Sequence, residues 1–487
     1  MSERKIKASV LLIAYFFSAC AGTGGEQEAI KETDHTNETE DINFSTVNHA
    51  ISGDVINPDQ LVYIGAFRLP GDGDRPQTFA YGGNAMTFNP DGDENNSDDF
   101  PGSLFIMGHD RIAYGELPDG NQVAEISIPD PIDTRNIENL NTAEFLQGFS
   151  NVTEGFFTEL NEIPKVGMQY LYDPVTGPKI HLAWGQHLQP QDVPSHAWFE
   201  PDLSNSDLQG TWFIGDQNLY SVNGYLFDIP NQWADEYVDG MMLATGRMRD
   251  GGQGGMGPTI FAYEPWRPDG SSYKSGAVLD EKTLLLYENA YSSEDIIRAM
   301  DGYQHADEWE GGAWLTTPTG SSAVIFTGTK ANGDKYWYGY MHPDGAGKVC
   351  VDDHVTDYLT CRNADGSPCN QSDLGGCCGE EKETCVSMRG WWSNRFDASI
   401  IFYNPSDLAK VANGEMPPWE PQPYAVLDID EHLYLNPPEW DYIMLGWGDQ
   451  RRYRIGDVAF DRENGLIYVL ELFTDEAKPV VHVWQIG

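Results

Sequence analysis

Positive charge is what this chain has least of. Its 487 residues carry 29 lysines and arginines against 76 aspartates and glutamates, a formal net charge of −47. Phosphate recognition needs clustered Lys and Arg, so this balance argues against a nucleic-acid or anionic-membrane surface. The balance suits a soluble protein in a salty, screened medium. Signature loops are missing as well: there is no phosphate loop, no G-x-S-x-G and no H-E-x-x-H, which leaves nucleotide and zinc-protease chemistry without support. The amino-terminal apolar run, Ala8 to Phe17, is too short to span a bilayer. Cysteine is absent except at Cys20 and within one polar segment, and no C-x-x-C spacing occurs, which argues against a zinc site.

What the chain does have is a recurring four-strand unit. Its first strand begins with glycine, alternates apolar residues and ends in an acidic, amide or proline turn. Five stretches carry it: Gly82 to Pro90, Val166 to Pro174, Asn223 to Pro230, Gly311 to Pro318 and Ile455 to Asp461. Where several such strands crowd one axis, glycine permits close backbone approach. Second strands follow at Ser103–Gly108, Lys179–Gly185, Met241–Gly246, Ser322–Gly328 and Gly465–Phe473. Third strands are Gln122–Ile128, Ser195–Phe199, Pro258–Tyr263, Ala398–Tyr403 and Pro479–Ile486. Fourth strands are Ala143–Phe149, Gly210–Gly215, Lys282–Glu288 and Gln422–Ile429, and the last set lacks one. Leu61–Leu69 supplies it from the other end of the chain. An all-β fold follows, a β-propeller of five four-stranded blades closed by pairing of the first strand with the carboxy-terminal blade. Residues 59–487 would form it.

The amino terminus lies outside this unit. Residues 1–20 begin with Arg4, Lys5 and Lys7, continue through the apolar run and end in Ser18-Ala19-Cys20. This resembles a bacterial lipoprotein signal, which implies lipidation of Cys20 and anchoring in the outer membrane; an ordinary secretory signal would instead leave the protein periplasmic or extracellular. Residues 21–58, rich in Glu, Thr, Asn and Asp, read as a disordered acidic tether. The remaining cysteines, Cys350, Cys361, Cys369, Cys377, Cys378 and Cys385, fall in an insertion over residues 331–395 between the second and third strands of the fourth blade. An even number in an exported chain reads as three disulfides, for which fifteen pairings exist.

Connections between second and third strands, and from each blade to the next, open on one face of a propeller. The residues gathered there are His109, Asp110, His187, Arg247, Arg249, Tyr81, Glu308, Trp309, Glu310, Asp449 and Arg452. Two histidines and several arginines on one face of an acidic chain suggest a funnel for a glycan or other anionic ligand. Arg249, Trp309, Glu310 and Arg452 are the candidate binding residues. The alternative is a polysaccharide-degrading enzyme. In a lyase, Arg247 or Arg452 would neutralise a uronate carboxylate, His109 or His187 would take the proton, and Tyr81 would protonate the leaving oxygen. In a hydrolase, two carboxyls among Asp110, Glu308, Glu310 and Asp449 would act as a pair. Separately, Asp91, Asp93, Asn95 and Asp99 place oxygen ligands at alternate positions, as a structural Ca²⁺ loop does, without the glycine and glutamate of an EF-hand.

LVYIGAFRLP, FAYGGNAMTFNP, LFIMGHD with VAEISIP, and PPWEPQPYAV together resemble a group of secreted bacterial propeller-like proteins. That resemblance covers most of residues 60–487 and implies a fold without an established activity. A looser likeness, in residue types alone, is to propeller-fold polysaccharide lyases.

Overall fold

The computed structural model describes residues 53–71, 73–93, 100–109, 121–156, 164–186, 193–217, 221–247, 255–287, 298–304, 306–337, 349–353, 358–361, 390–437, 440, 445 and 451–487. All fall within the compact unit Val47–Gly487. Cys20 and the tether to residue 52 lie outside them. No described helix is long and apolar enough to cross a membrane.

Five antiparallel sheets follow one another along the chain. The first is β2 (Met86–Asn89), β3 (Ser103–Met107), β4 (Gln122–Ser127) and β5 (Phe145–Asn151). The second is β6 (Pro164–Asp173), β7 (Gly177–Gln186), β8 (His196–Phe199) and β9 (Gln209–Ile214). The third is β10 (Tyr225–Asp228), β11 (Leu243–Gly246), β12 (Thr259–Tyr263) and β14 (Glu281–Leu286). Just before β14, the two-residue β13 (Val278–Leu279) crosses back to pair in parallel with β9. The fourth is β15 (Glu308–Thr316), β16 (Ser322–Trp337), β19 (Gly390–Tyr403) and β20 (Ala425–Asp428). The fifth is β21 (Arg454–Asp461), β22 (Leu466–Asp475), β23 (Lys478–Ile486) and β1 (Leu61–Arg68).

Closure occurs as the repeat pattern requires. β1 runs antiparallel to β23, from Leu61 opposite Ile486 to Arg68 opposite Val480. The innermost strands touch in the circular order β2, β6, β10, β15, β21 and back to β2, which makes the molecule a five-bladed β-propeller. Glycines explain how the ring is so tight. A Cβ on Gly167 would stand 2.6 Å from the Tyr225 backbone, one on Gly311 2.5 Å from Val458 N, and one on Gly456 2.4 Å from Gly83 O. Each therefore abuts backbone of the next blade, at or just before its inner strand, with no room for a side chain.

Both faces of every blade are apolar, so the core is layered between blades. Ile106 and Ala124 of the first blade meet Tyr468 and Leu470 of the fifth. Phe105 and Met107 meet Leu182 and Trp184 of the second. Ala183 and Trp198 meet Leu243 and Phe261 of the third. Tyr225 and Phe227 meet Trp314 and Phe326 of the fourth, whose other face sets Ile325 and Ile400 against Ile467 and Val469.

The insertion in the fourth blade is partly continuous with its sheet. β16 and β19 run past the blade, pairing as far as Trp337 and Gly390. The outer half of β16 then accepts β17 (Val349–Asp353), which pairs with β18 (Tyr358–Cys361). Residues 331–337 and 390–395 are thus strand, while Cys369, Cys377, Cys378 and Cys385 lie outside the described residues. Two helices were not expected. α1 (Asn231–Tyr237) connects β10 to β11. α2 (Pro405–Ala412) follows β19; Asn404 caps it by accepting from Ser406 N at 2.9 Å, Pro405 fits its first turn, and it buries Leu408, Ala409 and Val411.

Candidate functional site

In antiparallel blades, the β15–β16 type of turn lies at one end of the ring, and the connection into each inner strand lies at the other. That second end is the channel mouth. Along β15, alternation sends Trp309 into the apolar layer shared with the third blade and Glu308 and Glu310 the opposite way, toward β21. Arg454, at the start of β21, donates Nη1 to Glu308 Oε2 at 2.6 Å and brings Nη2 within 3.9 Å of Glu310. Arg452 Nη2 stands 3.6 Å from the other Glu308 oxygen, its guanidinium over the Phe396 ring. All four charged side chains are buried.

Asp457, two strand positions inward from Ile455, completes the group and was not singled out by the sequence pattern. Its Oδ2 accepts from Met86 N of the first blade and its Oδ1 from Val458 N, both at 2.9 Å. Burial pushes its carboxyl well above the ordinary range; the two backbone donors pull it back and Glu310 pushes it further up. Immediately before Glu308 in the chain, fully buried Asp307 accepts Lys330 Nζ at 2.8 Å and Ala331 N at 2.9 Å. Burial raises the Asp307 carboxyl too, against Lys330. The described mouth therefore sets Arg452, Arg454 and Lys330 against Asp307, Glu308, Glu310 and Asp457. Its cations are matched by carboxylates rather than in excess.

The other candidates are placed elsewhere on this end. His109 is buried; its Nδ1–H donates to Ala80 O at 2.8 Å, and its ring meets the edge of Tyr81 at 6.0 Å. Tyr81 sits at φ 62°, held by its N–H to Ala477 O. Arg247 is buried in the third blade, donating Nε to Gly257 O at 2.9 Å and Nη2 to Tyr287 O at 2.6 Å. His109 and Tyr81 are thus brought together, and Arg247 is tied to carbonyls of its own blade. His187, Arg249, Asp110 and Asp449 lie outside the described residues, as do Asn95 and Asp99 of the proposed Ca²⁺ loop. Asp91 of that loop accepts from Tyr170 OH at 2.6 Å, which fixes the turn against the second blade, and Asp93 has φ 47°. Among the described residues no three His, Cys, Asp or Glu side chains are grouped to hold a metal.

Two further features had no signal in the sequence. A cavity of about 260 Å³ lies between α1 and α2 at the end opposite the mouth, floored by Trp233 and Ala409 with Gln232, Glu236, Lys410 and Asn413 around it. A polar chain also runs through the closing blade. Glu471 accepts from Tyr434 N and Leu435 N, so it acts as a carboxylate acceptor for His482 Nε2–H at 2.9 Å. His482 Nδ1 in turn hydrogen-bonds the Tyr63 hydroxyl at 3.1 Å.

The sequence matches no protein-family profile and no curated protein. Among solved structures, Pseudomonas fluorescens PhoX in complex with vanadate, a transition state analogue, is similar at a TM-score of 0.30 and 8% identity, over 88% of this chain and 94% of that one. A likeness that slight carries no argument, and the propeller rests on this chain's own strand pairing.

Proposed function

We propose that the protein is a binding propeller that takes a glycan at its channel mouth. The observation that supports this most is the alternation of carboxylates and guanidinium groups at Glu308, Glu310, Arg452 and Arg454. Paired acceptors and donors of this kind suit vicinal hydroxyls, which both give and take hydrogen bonds. With every cation there already held by a carboxylate, the mouth favours an uncharged glycan over a polyanion, which the carboxylates would repel. A second reading, a carboxylate-pair hydrolase, is favoured by one observation: the Asp457 carboxyl is raised beside Glu310, and glycosidases keep one acid protonated near another that is ionised. Attachment through Cys20 belongs to the same picture and rests on the signal-like residues 1–20; labelled palmitate retained by the wild type and lost in Cys20→Ser tests it.

The experiment is a titration of the protein with neutral and uronate-bearing oligosaccharides, with reducing ends followed in parallel. Saturable binding of a neutral oligosaccharide, weakened about tenfold or more in Glu310→Gln, is the expected outcome; that corresponds to the loss of one charged hydrogen bond. Binding confined to uronates, or unchanged in Glu310→Gln, refutes this reading. New reducing ends that vanish in Asp457→Asn move the assignment to the hydrolase.

A further inference from the structure

The β17–β18 hairpin fixes a relation that the spacing of the cysteines leaves open. Its ladder pairs Asp353 with Tyr358, Asp352 with Leu359, Val351 with Thr360 and Cys350 with Cys361. β17 is itself held to the blade, with Cys350 opposite Lys335 of β16. Directly opposed residues of an antiparallel pair have Cα atoms about 4.5–5.5 Å apart. A disulfide spans Cα separations of about 4.4–6.8 Å. The register therefore sets the two cysteines directly opposite each other, a placement whose general Cα separation lies within the range a disulfide spans.

We propose that Cys350 and Cys361 form a disulfide that staples this hairpin at its base. The proposal is independent of what the channel mouth binds. Formation requires an oxidant, and a disulfide-bearing oxidoreductase of the compartment supplies it. One thiolate attacks the donor's disulfide to give a mixed disulfide and release one donor thiol. The second thiolate displaces the other, so two electrons pass to the donor and two protons leave the cysteines. Fixing one bridge among six cysteines reduces the fifteen pairings to three for the remaining four.

The test is a non-reducing peptide map of the full chain purified from an oxidising compartment, with free thiols alkylated before unfolding. Cleavage within the hairpin should give a linked pair of peptides containing Cys350 and Cys361 that separates on reduction. Alkylation of either cysteine in the native sample, or a link from either to another cysteine, overturns the proposal. As a second arm, Cys350→Ser should expose one new alkylatable thiol, at Cys361, and the double variant with Cys361→Ser should expose none. A new thiol at any other cysteine in Cys350→Ser refutes the pairing. If that variant fails to fold, the native map decides alone.

Discussion

Replacing Gly311 with alanine should damage the propeller far more than one methyl group normally does. The new Cβ would stand 2.5 Å from Val458 N, 2.8 Å from Asp457 Oδ1 and 2.9 Å from Asp457 C. Ordinary contact begins near 3.4 Å, so β15 and β21 must part by most of an ångström. Two of the three obstructing atoms are backbone, which cannot rotate away. Overpacking of this kind costs about 1–3 kcal/mol. Parting also strains the bond from Met86 N to Asp457, and a buried donor left unsatisfied costs about 1–3 kcal/mol more. Together the loss should reach about 2–6 kcal/mol. Gly148→Ala is the control: nothing lies within 4 Å of its Cβ, and alanine there should be neutral or mildly stabilising through the unfolded chain. Urea unfolding followed by circular dichroism and tryptophan fluorescence reads both. A Gly311→Ala midpoint indistinguishable from that of Gly148→Ala would refute the claim that inner-strand glycines set the width of the ring.

Glu471→Ala should cost about 1–3 kcal/mol in the same assay for each buried donor it strips of its acceptor, at His482 and at two backbone N–H groups; Tyr63→Phe, which removes only the outer hydroxyl, should cost far less. Arg462→Met should cost about 1.5–3 kcal/mol, since its guanidinium joins Asp228 of the third blade to Trp314 and Thr316 of the fourth. Burial pushes Asp430 up to about 7, so its contribution is complete below the unfolded carboxylate range near 3.8 and is lost as pH rises through 7. Asp430→Asn, which keeps an oxygen for Ala398 N, should therefore flatten the fall in stability between about pH 4 and 7, and an unchanged slope in denaturant melts would contradict it. His196 behaves oppositely: burial lowers it to about 3, its stabilising neutral form is fully effective above 6.5, and stability drains as pH falls from there toward 3. His196→Gln should flatten that acid limb.

The blades were legible because each is written in local terms: alternation, a turn, and a glycine where the backbone of the next blade presses in. Even closure was readable, since the last blade lacks a fourth strand and Leu61–Arg68 has the right pattern. Asp457 was not. Within β21 it reads as the polar member of an alternating strand, and its partner, Met86 N, is 371 residues away. Only the curvature of the ring brings the two together. α2 did carry a signal in Asn404-Pro405, a cap followed by proline in the first turn, but it sits in a connection already assigned to the blade. α1 has seven residues and no side-chain cap, too little for periodicity to speak. At the mouth, residue types could be gathered by connectivity, but not who pairs with whom. Arg452 looked like an open cation because Glu308 lies on another blade.

The pairing of β1 with β23 also imposes an order in time. A ribosome delivers Leu61 first and its partner, Ile486, 425 residues later. At about 5–20 residues per second, roughly 20–85 s separate the two. Throughout that interval the side of β1 that will take β23 is an open edge beside a half-built ring, although residues 132–143 can already bond its other side, and the outer edge of whichever blade was finished last is open too. Unpaired edges invite pairing with other chains. The strand that holds the finished ring shut is therefore the one most in need of a chaperone's protection while the ring is being made.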